Sequence, residues 1–209
     1  MDAHTDERNS LVLASHGNLD EVQRLLKDRA GTVNEPGVGP AFGGERPLDA
    51  AAHTHNRAIA ELLLAHGAEH NFHSAVFMGE FGMVSEMLKA NPEMAKQPGV
   101  HHIPVLGFVE DHAMAEMLIE SGADVNAASR EPFRTTPLHG ASRRGSVRIV
   151  ETLITNGADV RAKDYNGKTP RELATDGDVI ALLERAVNDS ESPPSPVQSE
   201  PPQERRGPE

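Results

Sequence analysis

Apolar residues recur along this chain at i, i+3, i+6 and i+7, in short blocks separated by polar and glycine-bearing segments. Three blocks carry the full set: Leu19, Val22, Leu25 and Leu26; Phe81, Val84, Met87 and Leu88; Val147, Val150, Leu153 and Ile154. Two more keep part of it, as Ala60, Leu63 and Leu64, and as Ala115, Leu118 and Ile119, with Arg57 and His112 in the leading positions. This spacing marks one face of a 3.6-residue period and predicts amphipathic helices. Three blocks stop at a Gly-Ala pair (Gly67-Ala68, Gly122-Ala123, Gly157-Ala158), where glycine supplies the left-handed residue that closes a helix. Asn91, followed by Pro92, is expected to take that conformation in the third block. Before each block stands a shorter segment rich in small residues. Pro47, Pro137 and Pro170 open such segments, where a missing N–H costs nothing, and Ala50-Ala51-Ala52 and Ala141-Ser142 allow close helix approach. The prediction is a series of helix pairs.

The pairs recur at a fixed interval. Pro104, Pro137 and Pro170 stand 33 residues apart, and Thr136-Pro137-Leu138-His139-Gly140-Ala141 is nearly repeated by Thr169-Pro170-Arg171-Glu172-Leu173-Ala174. Such a period marks a solenoid, which offers an extended surface rather than a deep pocket. Between pairs lie turn signals such as Asp164-Tyr165-Asn166-Gly167.

The run from Thr136 to Val160, together with Gly122-Ala-Asp-Val-Asn126 and Asn166-Gly-Lys-Thr-Pro170, resembles the ankyrin repeat family. The resemblance implies an all-α solenoid of antiparallel helix pairs joined by β-turn fingers. Six modules are expected within an array at 1–187, at about 5–30, 45–68, 70–92, 102–123, 135–158 and 168–187, the first and last being degenerate caps. Departures from the pattern are specific. No finger fits between Gly67 and Asn71, so modules two and three should join tightly. The connection from Arg29 to Pro47 is overlong and rich in Gly and Pro. Module four lacks the usual His and Ala pair in Pro104–Glu110. From residue 188 to 209 the composition is dense in Pro, Ser and Glu with one aliphatic residue, Val197, and is expected to be a disordered tail.

Composition narrows the function. Aromatics make up 3% of the 209 residues and there is no Trp, so small and aliphatic side chains must pack the core. A net charge of −12 speaks against nucleic-acid or anionic-membrane binding, which needs a basic face. There is no Cys, hence no thiolate chemistry. No secretory signal or spanning run is visible, so a cytoplasmic monomer is expected.

Eleven histidines raise the question of a metal. His66, His70 and His73 cluster in sequence, as do His53 and His55, and His101 and His102, but three or four ligands must converge on one point. Gly67 ends the helix after His66, and His73 and His139 occupy the family's Thr-Pro-Leu-His position, where the resemblance implies a hydrogen bond tying finger to helix. No metal site, cofactor or catalytic residue is assigned; no phosphate loop, nucleophile elbow or distinctive carboxylate pair is present. An ion- or ligand-responsive sensor built on residues 66–73 is the alternative reading.

Binding of a protein partner is the preferred one. The resemblance places partners across the finger tips and the exposed ends of the first helices. By position these are Phe77, Met78, Phe133, Arg134, Arg143, Arg144, Tyr165, Asn166 and Lys168; the alternative for Phe77 and Met78, beside the missing finger, is that they fill the gap it leaves. Aromatics and Arg are enriched in binding hot spots, and the arginines suit a partner with acidic groups.

Overall fold

Pro47, Pro137 and Pro170 open three of the described helices, and positive-φ glycines such as Gly67, Gly79, Gly122, Gly145 and Gly157 follow the ends of others. The computed structural model describes residues 3–28, 30–130 and 133–191, which contain helices and turns and no strand. The helices pair in order: α1 (Ala3–Ser15) with α2 (Leu19–Asp28), α3 (Pro47–His53) with α4 (Arg57–Ala65), and α5 (Phe72–Met78) with α6 (Phe81–Ala90). In the fourth module the 3-10 turn Val105–Phe108 stands where a first helix is expected, paired with α7 (His112–Glu120). Then come α8 (Pro137–Arg144) with α9 (Val147–Thr155), and α10 (Pro170–Leu173) with α11 (Gly177–Glu191).

Two layers result. The first members touch in succession, α1 on α3, α3 on α5, α5 on the Val105–Phe108 turn, that turn on α8, and α8 on α10. In the second layer α2 packs on α4, and α7, α9 and α11 pack in sequence. The apolar stripes lie between the layers: Val22, Leu63, Val84, Leu118, Val150 and Leu153 are all buried. Phe81 is the exception, over a third exposed at the head of its stripe. Small residues carry the first layer, with Ala50, Ala51, Ala75 and Ala141 inaccessible to solvent.

Caps follow the chemistry of the sequence. Asp111 accepts from the backbone N–H groups of Ala113 and Met114 at the start of α7. Gly67, Gly122 and Gly157 take φ of 88°, 94° and 85° at the helix ends. Asn91 departs from its expected role. Its φ is −150°, in the extended region, and its side chain instead accepts from Glu93 N–H, opening a 3-10 turn, Pro92–Lys96. Pro92 explains the change, because the residue before a proline is pushed toward extended backbone.

The fingers are tied to one another by side-chain amides. Asn126 donates to the Gly157 carbonyl at 3.0 Å and accepts from Asp159 N–H at 2.7 Å. Asn34 repeats this on Gly67 and Glu69, at 2.8 and 2.7 Å. One amide thus satisfies a donor and an acceptor one module along. At the tip of the last finger the Asp164 carboxylate accepts from the N–H groups of Asn166 and Lys168. The terminal helix α11 runs to Glu191, past the expected start of the tail; the rest of the tail, from residue 192, lies outside the described residues.

Replacing Asn126 with Ala removes both cross-module bonds. The expected cost is about 1–2 kcal/mol in urea unfolding, for two bonds at the usual net value near 1 kcal/mol each. A loss under about 0.3 kcal/mol would mean that water replaces them without penalty.

Candidate functional site

His139 makes the structural hydrogen bond that the resemblance implies for the Thr-Pro-Leu-His position. His139 Nδ1 accepts from the Thr136 N–H at 3.2 Å, which leaves the ring proton on Nε2, directed at the Lys168 carbonyl 3.0 Å away. His73 departs from its expected place: Ser74, three residues after the Asn71 cap, stands where His139 does and accepts from the Asn71 N–H, while His73 Nε2 meets the Gln97 carbonyl at 3.0 Å. Burial holds the His73 pKa below its ordinary value. His66 and His70 do not join it: His66 Nδ1 turns back to the Leu62 carbonyl, and His70 Nδ1 lies 3.4 Å from Ser74 Oγ. The 66–73 run therefore does not converge on a point.

Two polar clusters do form where the first-layer helices end. The first is His55, Glu110 and Arg144, drawn from modules two, four and five. His55 Nδ1 donates to the Glu110 carboxylate, and its Nε2 lies 3.0 Å from both the Gly107 carbonyl and Arg144 Nη1. Arg144 Nε is 3.6 Å from Glu110, and Nη2 donates to the Val109 carbonyl at 3.3 Å. Gly140 makes room for this, since a Cβ there would come within 3.1 Å of the guanidinium. Burial raises the Glu110 pKa, but His55 and then Arg144 outweigh it and leave the carboxyl below its usual range. His55 adopts a left-handed φ of 57° to make these contacts.

The second cluster gathers three histidines round one carboxylate. The long loop after module one folds back on itself: Gly37 N–H donates to the Glu45 carbonyl at 2.8 Å, and Glu45 N–H to the Phe42 carbonyl at 2.9 Å. The Phe42 ring lies over Gly37 so closely that a Cβ at position 37 would sit 2.6 Å from it. Asn9 on α1 brackets Val38 with two bonds and anchors the loop. The loop thus delivers Glu45, 1% exposed, to the ends of α1 and α3. There His16 Nε2 is 3.3 Å from Oε2, His53 Nδ1 is 2.8 Å from Oε1, and His101 Nε2 is 3.5 Å from Oε1. Burial pushes the Glu45 carboxyl up, but the His16 and His53 rings reverse this and hold it at about 2. The contact with Glu45 likewise raises His16 against the effect of its burial. No spacing in the sequence marks this group, whose members come from two helix ends and two loops.

The nine positions expected to meet a partner divide sharply. Phe133 and Tyr165 are 63% and 61% exposed. Arg134, Arg143, Asn166 and Lys168 are exposed too. Tyr165 N–H donates to the Phe133 carbonyl at 3.1 Å, so the two aromatic tips sit on directly bonded neighbouring fingers. Phe77 does not belong with them. It is 1% exposed, edge-on to the His55 ring at 5.6 Å, because α5 is wedged between α3 and the Val105–Phe108 turn. Met78 is half-buried against the core and its carbonyl accepts from Arg57. Arg144 is also withdrawn, its side chain 18% exposed within the Glu110 cluster. Only Arg143 of that pair faces solvent.

Stacked helix pairs in two layers, stitched finger to finger, define a helical repeat solenoid. The family described as ankyrin repeats (many copies) matches residues 115–174. The B-cell lymphoma 3 protein homolog of Mus musculus is 36% identical over 102 residues, 46% of this chain and 22% of that protein. Ankyrin repeat and SOCS box protein 11 of Danio rerio is 30% identical over 140 residues, 67% of this chain and 39% of that protein. Ankyrin repeat and SOCS box protein 9 of Homo sapiens is 36% identical over 89 residues, 43% of this chain and 28% of that protein. The chain is an ankyrin repeat protein. Its matched part spans well under half the length of each of these relatives. No helix among the described residues is long and apolar enough to cross a membrane.

The different surroundings of the two arginines have a measurable consequence. Arg144→Ala removes a largely buried guanidinium from the exposed Glu110 and from the Val109 carbonyl, and should cost about 1–2 kcal/mol in chemical denaturation. Arg143→Ala should change stability by less than about 0.5 kcal/mol. Equal effects would contradict the division drawn here.

Proposed function

We propose that this chain is a non-catalytic interaction module, an adaptor or regulator that binds a protein partner along the fingers of its last modules. The observation that carries the reading is the pair Phe133 and Tyr165, each more than three-fifths exposed on neighbouring fingers. An exposed aromatic presents a large apolar area with few rotatable bonds, which is what a binding hot spot requires. The backbone bond between the two fingers holds the rings in a common frame, so little entropy is lost when a partner orders them.

The charged residues nearby specify the partner's chemistry. Arg134 stands beside Phe133, Lys168 closes the Tyr165 turn, and Arg143 ends α8. Lys168 is already 3.6 Å from Glu172, which tempers its charge. A segment carrying apolar side chains flanked by carboxylates matches this arrangement. With a net charge of −12 the chain as a whole does not attract acidic partners, so the basic residues act in register at close range rather than by steering. The same charge disfavours nucleic acid and anionic membrane as partners. A monomer acting in the cytoplasm is the form in which we place this activity.

The test compares partner capture by the intact chain and by Phe133→Ala, Tyr165→Ala and Arg143→Ala, with helical circular dichroism as the folding control. Each aromatic replacement should weaken a captured partner's affinity at least about tenfold, the scale of a hot spot. Arg143→Ala should have a smaller, salt-sensitive effect. Partners retained equally by both aromatic variants would sink the assignment of this face.

A further inference from the structure

The Glu45 cluster has the composition and convergence of a metal centre. His16, Glu45, His53 and His101 each offer one donor atom, and these atoms lie within 4.8 Å of one another. It is the one such group of His, Cys, Asp and Glu among the described residues. A tetrahedral ion with bonds of about 2.0–2.1 Å needs donors roughly 3.3 Å apart. One oxygen of Glu45, Oε1, already stands 2.8 Å from His53 Nδ1 and 3.5 Å from His101 Nε2, and the other, Oε2, stands 3.3 Å from His16 Nε2. The wider spacings are within the reach of side-chain rotation at His16 and His101, which are partly open to solvent. The rings of His16 and His53, and of His53 and His101, meet edge to face with centroids 5.0 Å apart. They are therefore not stacked, and their edges are available to a common centre.

Two details point to a cation rather than to a self-sufficient polar knot. His16 Nδ1 lies 2.9 Å from the Val12 carbonyl one turn back on α1, the outer bond that orients a metal-binding imidazole. With that proton committed, Nε2 turns either a second proton or a lone pair toward the Glu45 carboxylate, and a lone pair there demands a positive ion. Glu45 itself is 2% exposed at its side chain, and its Oε1 accepts no aligned hydrogen bond. His53 Nδ1 lies 2.8 Å from this oxygen and 3.2 Å from the Asp49 carbonyl, and it gives up any proton shared between them when it binds an ion. A buried carboxylate oxygen without a bond is costly unless a charge faces it. His101 is held toward the same point by a left-handed backbone, φ 53°, inside the loop closed by Gly99 N–H and the Ile103 carbonyl.

We propose that His16, Glu45, His53 and His101 form a binding site for a divalent transition-metal ion of the zinc class. Three imidazoles and one carboxylate suit zinc, cobalt, nickel or copper and do not suit calcium or magnesium, which take oxygen ligands. The ligands come from module one, the long loop, module two and the loop ahead of module four. A bound ion clips these four segments together, so its effect is on the shape and rigidity of the irregular half of the array. The site is separate from the aromatic fingers, and neither proposal depends on the other.

The full chain, free of any polyhistidine tag and stripped with chelator, is titrated with Co²⁺ and with Zn²⁺. Co²⁺ should give the visible absorption of a low-symmetry four-coordinate site, saturating at one equivalent and displaced by Zn²⁺. Zn²⁺ should raise the melting temperature. Glu45→Gln and His53→Ala should lower the Zn²⁺ affinity at least about tenfold, the scale of losing one metal contact. Because both are buried or nearly so, His101→Ala is the deciding variant: it lies in a surface loop, should keep the helical spectrum, and should show the same loss. His66→Ala, outside the cluster, should bind as the parent does. Absence of one-to-one binding, or binding unchanged in His101→Ala, overturns the proposal, as does an equal loss in His66→Ala.

Discussion

A pair of helices four to fifteen residues long cannot bury its own apolar stripe, and every other feature of this chain follows from that constraint. Leu63, Leu118 and Leu153 lose all solvent contact only because a neighbouring module covers them. In water such short helices are marginal by themselves. Stacking makes the stability a sum of nearest-neighbour contacts, so each interface must be good on its own terms. The chain meets this with two devices: alanines that bring first-layer helices close, and asparagines that tie each finger to the next. Where a device is missing, something else has to replace it. Asn71 has no finger to stitch, and its amide instead donates to the Asp49 carboxylate of the preceding module.

The regular part of this arrangement was legible in the sequence because its determinants are local. Pro137 at a helix start, Thr136 capping it and Gly145 at its end act within one module, so a motif captures them. The tight joint after Gly67 and the departure of the fourth module at Pro104–Glu110 were legible for the same reason. Asn91 was misread because two local rules compete there, tolerance of left-handed backbone and the restriction imposed by Pro92; the second won. Arg144 was misread, and Phe77 was left between two readings, for a different reason. Their family positions face solvent in a uniform array, but here the fourth module contributes a 3-10 turn in place of a helix. That change lets Phe77 sink between α3 and the turn, and it brings Glu110 within reach of Arg144.

The Glu45 cluster was illegible in principle. Its histidines carry no common spacing, and the pairs that looked clustered, such as His53 with His55, are sent into different groups because His55 itself is left-handed, with φ of 57°. Only the path of the Gly/Pro-rich loop decides that Glu45 reaches His16, His53 and His101. That path depends on Gly37 lying under the Phe42 ring and on Asn9 bonding Val38. Neither contact has a sequence signature.

The irregular and regular halves thus use opposite means to hold together. From module five onward the interfaces are apolar, with hydrogen-bonded fingers, and the charged and aromatic residues are left outside for other molecules. In modules one to four, a lost finger and a lost helix leave gaps that charged groups fill from within. Burying a carboxylate such as Glu45 is costly unless it is paired. An interface built this way is therefore sensitive to whatever proton or ion completes it, whereas a purely apolar one is not. The N-terminal half is the part of the array whose geometry solution conditions can alter, and the C-terminal half supplies the fixed surface.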